Sequence, residues 1–261
     1  MATTNPYAAP KAAVADETVV RDADFVPGGQ PVPAGHGWTW ITDGWDLFKR
    51  QPAMWIGMVL VTFVIFIVAA LIPFVGGLLL SLFGPVFAAG FMIGCKALDT
   101  GGALQFGHLF AGFRERTGTL IAVGAIYLGA SLVVMLVVGL TMGVGMAAMM
   151  GQADPESVQG MGMTMVLAVL VMFALLLPVI MAIWLAAPLV VFHGQGAVDA
   201  MKGSFMGCLK NIVPFLLYGI IAFVLAVIAS LPLGLGWLVL GPVFAGSIYA
   251  SYRDIYLRPR R

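Results

Sequence analysis

Residues 51–95 read QPAMWIGMVLVTFVIFIVAALIPFVGGLLLSLFGPVFAAGFMIGC, 45 residues without one charged side chain. A helix that crosses the hydrocarbon of a bilayer needs about 20 such residues, so this stretch is long enough for two. Near its middle Pro73 is followed by Gly76 and Gly77, residues that stop a helix and turn the chain, and the block is expected to be a hairpin of spanning helices. Charge-free blocks recur at 117–153, 157–198 and 211–252. The last breaks at Pro232, Gly234 and Gly236 as the first does. The two inner blocks carry no comparable turn, because Pro178 stands inside LLLPVIM without a glycine or polar neighbour, so each predicts one long helix, kinked in the second case. The sum is six transmembrane helices in an all-α integral membrane protein. The roughly 30 residues from Leu120 to Met150 would run about 45 Å against a hydrocarbon core of about 30 Å, so helices three and four should tilt or protrude.

Composition agrees with lipid as the solvent. A soluble domain carries about 25% charged residues, whereas this chain has 10%, with 61% hydrophobic residues, too few charges to tile an aqueous surface. With six helices, Lys49, Arg50, Lys96, Arg114, Arg116, Lys202, Lys210, Arg253, Arg258, Arg260 and Arg261 all fall on one face, and the opposite turns hold no Lys or Arg. That face is expected to be cytoplasmic, with both termini on it, in a multi-pass membrane protein. Asp154 and Glu156 are the charges expected opposite. Residues 1–36 are rich in Ala, Pro, Gly and Asp and predict a disordered cytoplasmic tail, leaving 37–261 as a single membrane domain. No basic stretch followed by an apolar segment opens the chain, so the first helix is expected to act as the insertion signal. Cys95 and Cys208 lie near the reducing face and read as small apolar fillers.

A repeat underlies the blocks. GPVFA occurs at 84–88 and again at 241–245, after which Gly90 and Gly94 align with Ser247 and Ser251, and Lys96 with Arg253. Ahead of the first hairpin Trp38, Ile41, Trp45 and Phe48 form a helical stripe of the kind that lies in a membrane interface; Phe106, Leu109, Phe110 and Phe113 repeat it before the third helix, and Val198, Met201, Phe205 and Leu209 before the fifth. Three related units follow, at approximately 38–99, 104–194 and 197–257, each opened by a short interfacial amphipathic helix. The middle unit keeps only the proline, Pro178, and longer helices.

Near the C-terminus the chain reads YRDIY at 252–256, with APLVVFHGQG at 187–196 and GWDLFKRQP at 44–52. On these segments the chain resembles an uncharacterised proteobacterial family of small six-helix inner-membrane proteins with a C-terminal Tyr-Arg-Asp-Ile-aromatic signature, and more distantly the membrane domain of glycerophosphodiester phosphodiesterases. The resemblance spans nearly all of the chain after residue 36 and implies an inner-membrane address. It implies no activity, since the phosphodiesterase catalytic domain has no counterpart here.

Four sets of residues are candidates for function. Lys49, Arg50, Arg114, Arg116, Lys202, Lys210 and Arg253, interleaved with aromatic residues, could take anionic lipid head groups, although orientation by charge alone would give the same distribution. Pro85, Pro178 and Pro242 break helices midway, which serves close packing or, in transporters, a hinge or lined cavity. Met161, Met163 and Met165 have spacing and soft thioethers that suit Cu(I), and equally suit flexible apolar filling. Lys96, Asp99, Arg253 and Asp254 at helix ends are read as snorkelling to the interface. The sequence holds no H-E-x-x-H, C-x-x-C, G-x-S-x-G or phosphate-cradling glycine loop, and His36, His108 and His193 show no metal spacing. The expectation is a non-enzymatic membrane protein without cofactor, whose partners are the bilayer, anionic lipids or another membrane protein rather than nucleic acid; it acts in envelope or lipid organisation. The alternative is a small-solute permease, and a periplasmic Cu(I) site is third. Oligomeric state is left open.

Overall fold

The structure, a computed structural model, describes residues 24–150 and 155–258, and the side chains of all of these except 24, 144–150, 155–161 and 164. The chain is all-helical apart from one pair of two-residue strands. In order it forms β1 (Asp24–Phe25), α1 (His36–Arg50), α2 (Pro52–Ala70), α3 (Val75–Asp99), a 3-10 helix (Phe106–Phe113), α4 (Thr117–Met150), α5 (Pro155–Trp184), α6 (Ala186–His193), α7 (Ala197–Lys210), α8 (Ile212–Ser230), α9 (Trp237–Tyr256) and β2 (Leu257–Arg258). Among the described residues five stretches are long and apolar enough to cross a membrane: Pro52–Ala70, Val75–Asp99, Thr117–Gly143, Met165–His193 and Ile212–Ser230. The sixth expected span, α9, falls short of that apolarity because its second half, GSIYASYRDIY, is built from small, tyrosine and charged residues. Those residues are largely enclosed by other helices rather than by lipid: Gly246, Ser247, Tyr249, Ala250, Ser251, Tyr252, Ile255 and Tyr256 are all buried.

The proline-and-glycine breaks become tight turns, the second through Gly234 at φ 80° as the sequence suggests, and both through bulky residues that the sequence does not single out. Phe74 and Leu233 take the left-handed backbone, at φ 62° and 55°, and stand 98% and 97% exposed at the two tips. Gly76 and Gly236 behind them serve contact instead, since a Cβ on either would collide with the backbone of Ala69 or Ala229 in the preceding helix. Pro52 opens α2 at the first turn, where its missing N–H costs nothing.

The inner pair differs. α4 is 34 residues long and α5 is 30, against 19 for α2 and α8. At about 1.5 Å per residue these are about 51 and 45 Å against about 28 Å. α5 runs through Pro178, and the interruption falls at Leu185. The physical reason is Pro188, whose ring and missing N–H prevent a bond to the Trp184 carbonyl, where α5 ends.

Three segments lie across the bundle, each on a helix of another hairpin. α1 packs on α9, the 3-10 helix on α3, and α7 on α5. Where α1 crosses α9, Gly44 sits against the Val243 carbonyl and the Ser247 amide, and a side chain there would collide with both. Where the 3-10 helix crosses α3, Gly112 sits against the carbonyl of Val86, the residue that matches Val243 in the repeated GPVFA. Where α7 crosses α5, Ser204 bridges instead: its Oγ donates to the Met181 carbonyl at 2.6 Å and accepts from the Leu185 amide at 2.8 Å. The expected apolar stripes are split by this docking. Ile41, Phe48, Leu109 and Met201 turn into the protein, while Trp38, Trp45, Phe106, Phe110, Phe113, Val198 and Leu209 face outward. Trp40 and Leu47, outside the predicted stripe, are buried with Ile41 and Phe48 because Gly44 lets α1 settle closely onto α9.

The last part of the expected tail is ordered against the helices. Residues 24–35 are held to the bundle: β1 pairs antiparallel with β2, Asp24 opposite Arg258 and Phe25 opposite Leu257. Asn211 clasps the segment that follows, its Oδ1 accepting from the Val32 amide at 2.8 Å and its Nδ2 donating to the Gln30 carbonyl at 2.9 Å. A Pro- and Gly-rich stretch needs little apolar surface of its own when its backbone groups find partners on the bundle. The part of the expected tail from 1 to 23 lies outside the described residues.

Candidate functional site

The segment Tyr252–Tyr256 ends α9 at the centre of the face where α1, α3, α6 and α7 converge, and each of its polar side chains ties down a different element. The Tyr252 hydroxyl is 2.7 Å from His193 Nε2 at the end of α6. Arg253 donates to Asp99 of α3 at 2.5 Å and lies 3.8 Å from Asp43 of α1. Asp254 Oδ2 accepts from Trp40 Nε1 at 2.9 Å and is 2.7 Å from His36 Nδ1, both on α1. The Tyr256 hydroxyl donates to the Gly203 carbonyl of α7 at 2.7 Å, and a Cβ on Gly207 would collide with it. Ile255 is fully buried.

Around this hub the strap from residue 24 closes the end of the bundle. The Phe25 ring stacks on His193 with centroids 3.8 Å apart, and Gln30 Nε2 donates to the Asp254 carbonyl at 2.9 Å. The Tyr249 hydroxyl, one turn before the hub, donates to Asp99 at 3.1 Å, so one carboxylate joins both. Lys96 extends over the Phe192 ring, 4.9 Å from its centroid. Burial holds the Asp43 carboxyl above its ordinary value of 3.8, with the Arg253 charge opposing.

The seven basic residues proposed for head groups divide. Arg50 donates to the Leu98 carbonyl at 2.6 Å, Arg116 to the Gly194 carbonyl at 2.8 Å, and Lys210 to the Gly28 and Gly29 carbonyls at 3.0 and 2.9 Å. Each stands just before a long helix, α2, α4 or α8, and reaches the end of α3, the end of α6, or the strap beside β2. Leu98 and Gly194 stand at helix C-termini, where a cation is favoured by the carbonyls free of helical partners and by the macrodipole. Arg253 is committed to Asp99 and Asp43, and Lys49 pairs with Asp46 at 2.7 Å. Arg114 and Lys202 are exposed and have no ion-pair partner among the described residues.

Of the three prolines, Pro85 and Pro242 are buried one residue before the carbonyls that meet Gly112 and Gly44, while Pro178 is exposed. Pro85 and Pro242 thus stand at packed crossings. An open depression on α8, lined by Phe223, Ala226, Val227, Ser230 and Leu231, contains no ionisable group. Met163 and Met165 are exposed on α5, and the Met161 side chain lies outside the described residues.

Within YRDIY the sequence marks Arg253 as a head-group candidate and Arg253 and Asp254 as snorkelling, considers His36 and His193 only for metal spacing, and gives no role to Tyr252, Gln30 or Asn211. The available signal was α9 itself, whose hydropathy drops over its last two turns while its aromatic and polar residues alternate. A spanning helix with that profile is one enclosed by protein.

In comparisons with known proteins, the chain is 27% identical over 251 residues to a protein of Burkholderia thailandensis named as a probable inner membrane protein, covering 86% of this chain and 92% of that one. No family model matches the chain. No solved structure matches it either.

Proposed function

We propose that the chain is a six-span inner-membrane protein built from three hairpin units, and that it acts without catalysis as an organiser of membrane lipid or as a partner for another membrane protein. The observation that carries the reading is the pairing of β1 with β2, which sets residue 24 beside residue 258. Two chain segments hydrogen-bonded at one end of a bundle are separated by an even number of crossings, so α9, about 30 Å long, counts as the sixth. The probable inner membrane protein of Burkholderia thailandensis lends the address. The excess of Lys and Arg at this end makes it the cytoplasmic one.

Three parallel relations support the unit structure. Each crossing segment docks on the second helix of the preceding hairpin, with α1 closing the ring onto α9. Gly44, Gly112 and Ser204 stand at the crossings, and Arg50, Arg116 and Lys210 open the long helices. The YRDIY hub then serves as the keystone of the ring, which accords with its place as a family signature.

The lipid role rests on the exposed Arg114 beside the outward Phe110 and Phe113, and on the exposed Lys202 on the segment that turns Val198 and Leu209 outward. Native mass spectrometry from nanodiscs containing anionic phospholipid tests it. The expected result is a retained anionic lipid that is lost in the Arg114→Gln, Lys202→Gln variant. Retention unchanged in that variant would refute the lipid role. A co-purifying membrane protein without retained lipid would move the assignment to partner binding, and proteoliposomes leaky to a small solute would favour a permease.

A further inference from the structure

We infer that the end of the bundle between α7 and α9 is a peptide-binding groove, and that the strap from Phe25 to Val32 is its tethered, displaceable ligand. A helix leaves its last four carbonyls without intrahelical donors. In α9 these belong to Arg253, Asp254, Ile255 and Tyr256. The Leu257 amide caps Arg253, and the strap supplies the other three donors. Gln30 Nε2 donates to the Asp254 carbonyl at 2.9 Å, the Gln30 amide to the Ile255 carbonyl at 2.9 Å, and the Val26 amide to the Tyr256 carbonyl at 2.8 Å. Antiparallel pairing of Phe25 with Leu257 adds a strand edge. Main-chain bonds of this kind hold an extended peptide, and pockets for its side chains give the specificity.

Three contacts select the sequence. The Phe25 ring stacks on His193 and lies 6.2 Å from the Tyr256 ring. Four residues on, Gly29 is buried at φ 70°, and a Cβ there would come within 2.7 Å of Ile255 Cγ2 and 3.3 Å of the Gly207 Cα, so the slot admits glycine alone. Beyond the slot Asn211 holds the backbone of both Gln30 and Val32; it is 1% exposed, and its Nδ2 is fixed by a further bond to the Gly207 carbonyl at 2.8 Å. The ligand is also shaped in advance. Pro27 and Gly28, the latter at φ 75°, are the central residues of a turn that the Gly29 amide closes on the Val26 carbonyl at 3.0 Å.

The strap is bonded to this groove without sharing deeply in the core. Of residues 25–35 only Gly29 is buried; Phe25 and Val32 are half-buried, and Pro27, Pro31, Pro33, Ala34 and Gly35 are exposed. Segments held mainly by exposed backbone hydrogen bonds open locally at low cost. The strap stays in place because its tether holds it at an effective concentration on the order of 1 mM. The ligand that replaces it is an extended segment of a partner protein with an aromatic residue four places before a glycine. The inference rests on the partner half of the proposed function and names the chemistry of that partner.

The test uses a fluorescent peptide of residues 24–35 and the full chain in nanodiscs. The Gly29→Val chain, in which the strap no longer fits, should bind this peptide saturably with a Kd below about 1 mM, the limit that docking of the tethered strap sets. Peptides carrying Gly29→Val or Phe25→Ala should bind that chain at least about tenfold more weakly. The parent chain, its groove filled, should bind the unaltered peptide at least about tenfold more weakly as well. A second measurement needs no variant chain. With unlabelled peptide at about 10 mM, hydrogen exchange at the Val26, Gln30 and Val32 amides of the parent should quicken at least about fivefold, and it should not change with the Gly29→Val peptide. Strap amides unmoved by the peptide, or equal binding of the three peptides, would overturn the inference. If a membrane protein nevertheless co-purified with the chain, the groove would be struck while the partner reading stood.

Discussion

The hairpins α2–α3 and α8–α9 turn back after 19 residues and bury the C-terminal halves of their second helices under crossing segments, whereas α4–α5 runs on and exposes most of the described residues that it adds. The same residue type behaves oppositely in the two regions. Gly44, Gly76, Gly112 and Gly236, in the short hairpins and their crossings, lie against the backbone of another segment; Gly139 and Gly143 on α4 open onto nothing within 4 Å. The short hairpins thus specify how the chain folds, and the long one is where the molecule has surface left to use.

The largest effect should come at the crossings. Gly44→Leu or Gly112→Leu drives a side chain into the Val243 or Val86 carbonyl and should cost about 3 kcal/mol or more, enough to remove folded protein from detergent extracts. Gly143→Leu should shift stability by no more than about 0.5 kcal/mol in the same thermal unfolding assay. A Gly44→Leu protein that melts with the parent would erase the distinction between the regions. Next comes the hub: Arg253→Ala leaves Asp99 partly buried without its cation. Since the arginine side chain is itself 43% exposed, a loss of about 1–2 kcal/mol is expected from chemical unfolding.

Smaller changes sharpen the assignment of the basic residues. Arg50→Ala and Arg116→Ala should each lower stability by about 0.5–1 kcal/mol through loss of a helix C-terminal contact. Arg114→Ala should leave unfolding unchanged while reducing anionic lipid retention, so the two readouts should separate. Smallest is a pH effect at Asp43. Its folded-state value is raised above 3.8, so just above that pH the folded protein holds a proton that the unfolded chain has released, and stability falls as pH rises through this window. Asp43→Asn should flatten that slope, measured as melting temperature against pH.

Much of the architecture was open to a reader of the sequence, because bilayer solvation leaves a coarse mark. Long charge-free blocks and Pro-Gly breaks announced the helices, and the repeated GPVFA marked residues that the structure sets at equivalent crossings, Val86 on Gly112 and Val243 on Gly44. Three features escaped. The left-handed turn residues include Phe74 and Leu233 as well as Gly234, while Gly76 and Gly236 lie where helices touch. The break in the fourth long helix follows Pro188 rather than Pro178, since the loss at a proline falls on the carbonyl four residues earlier. The hub was invisible as a set: His36 and Asp254 are 218 residues apart, and no local pattern announces such a pair. The strap from Asp24 was hidden for the same reason, its partners lying at Asn211, Lys210 and Leu257.

The account turns on an even number of crossings, and cysteine accessibility in intact cells tests that most directly. In a chain carrying Cys95→Ala and Cys208→Ser, single cysteines at Phe74, Leu233, Thr100 and Arg258 would be exposed to a membrane-impermeant maleimide. Six spans predict that Phe74→Cys and Leu233→Cys label from the periplasm, and that Thr100→Cys and Arg258→Cys label only after the inner membrane is permeabilised. Labelling of Arg258→Cys from the same side as Leu233→Cys would mean that α9 does not cross, and would contradict the account.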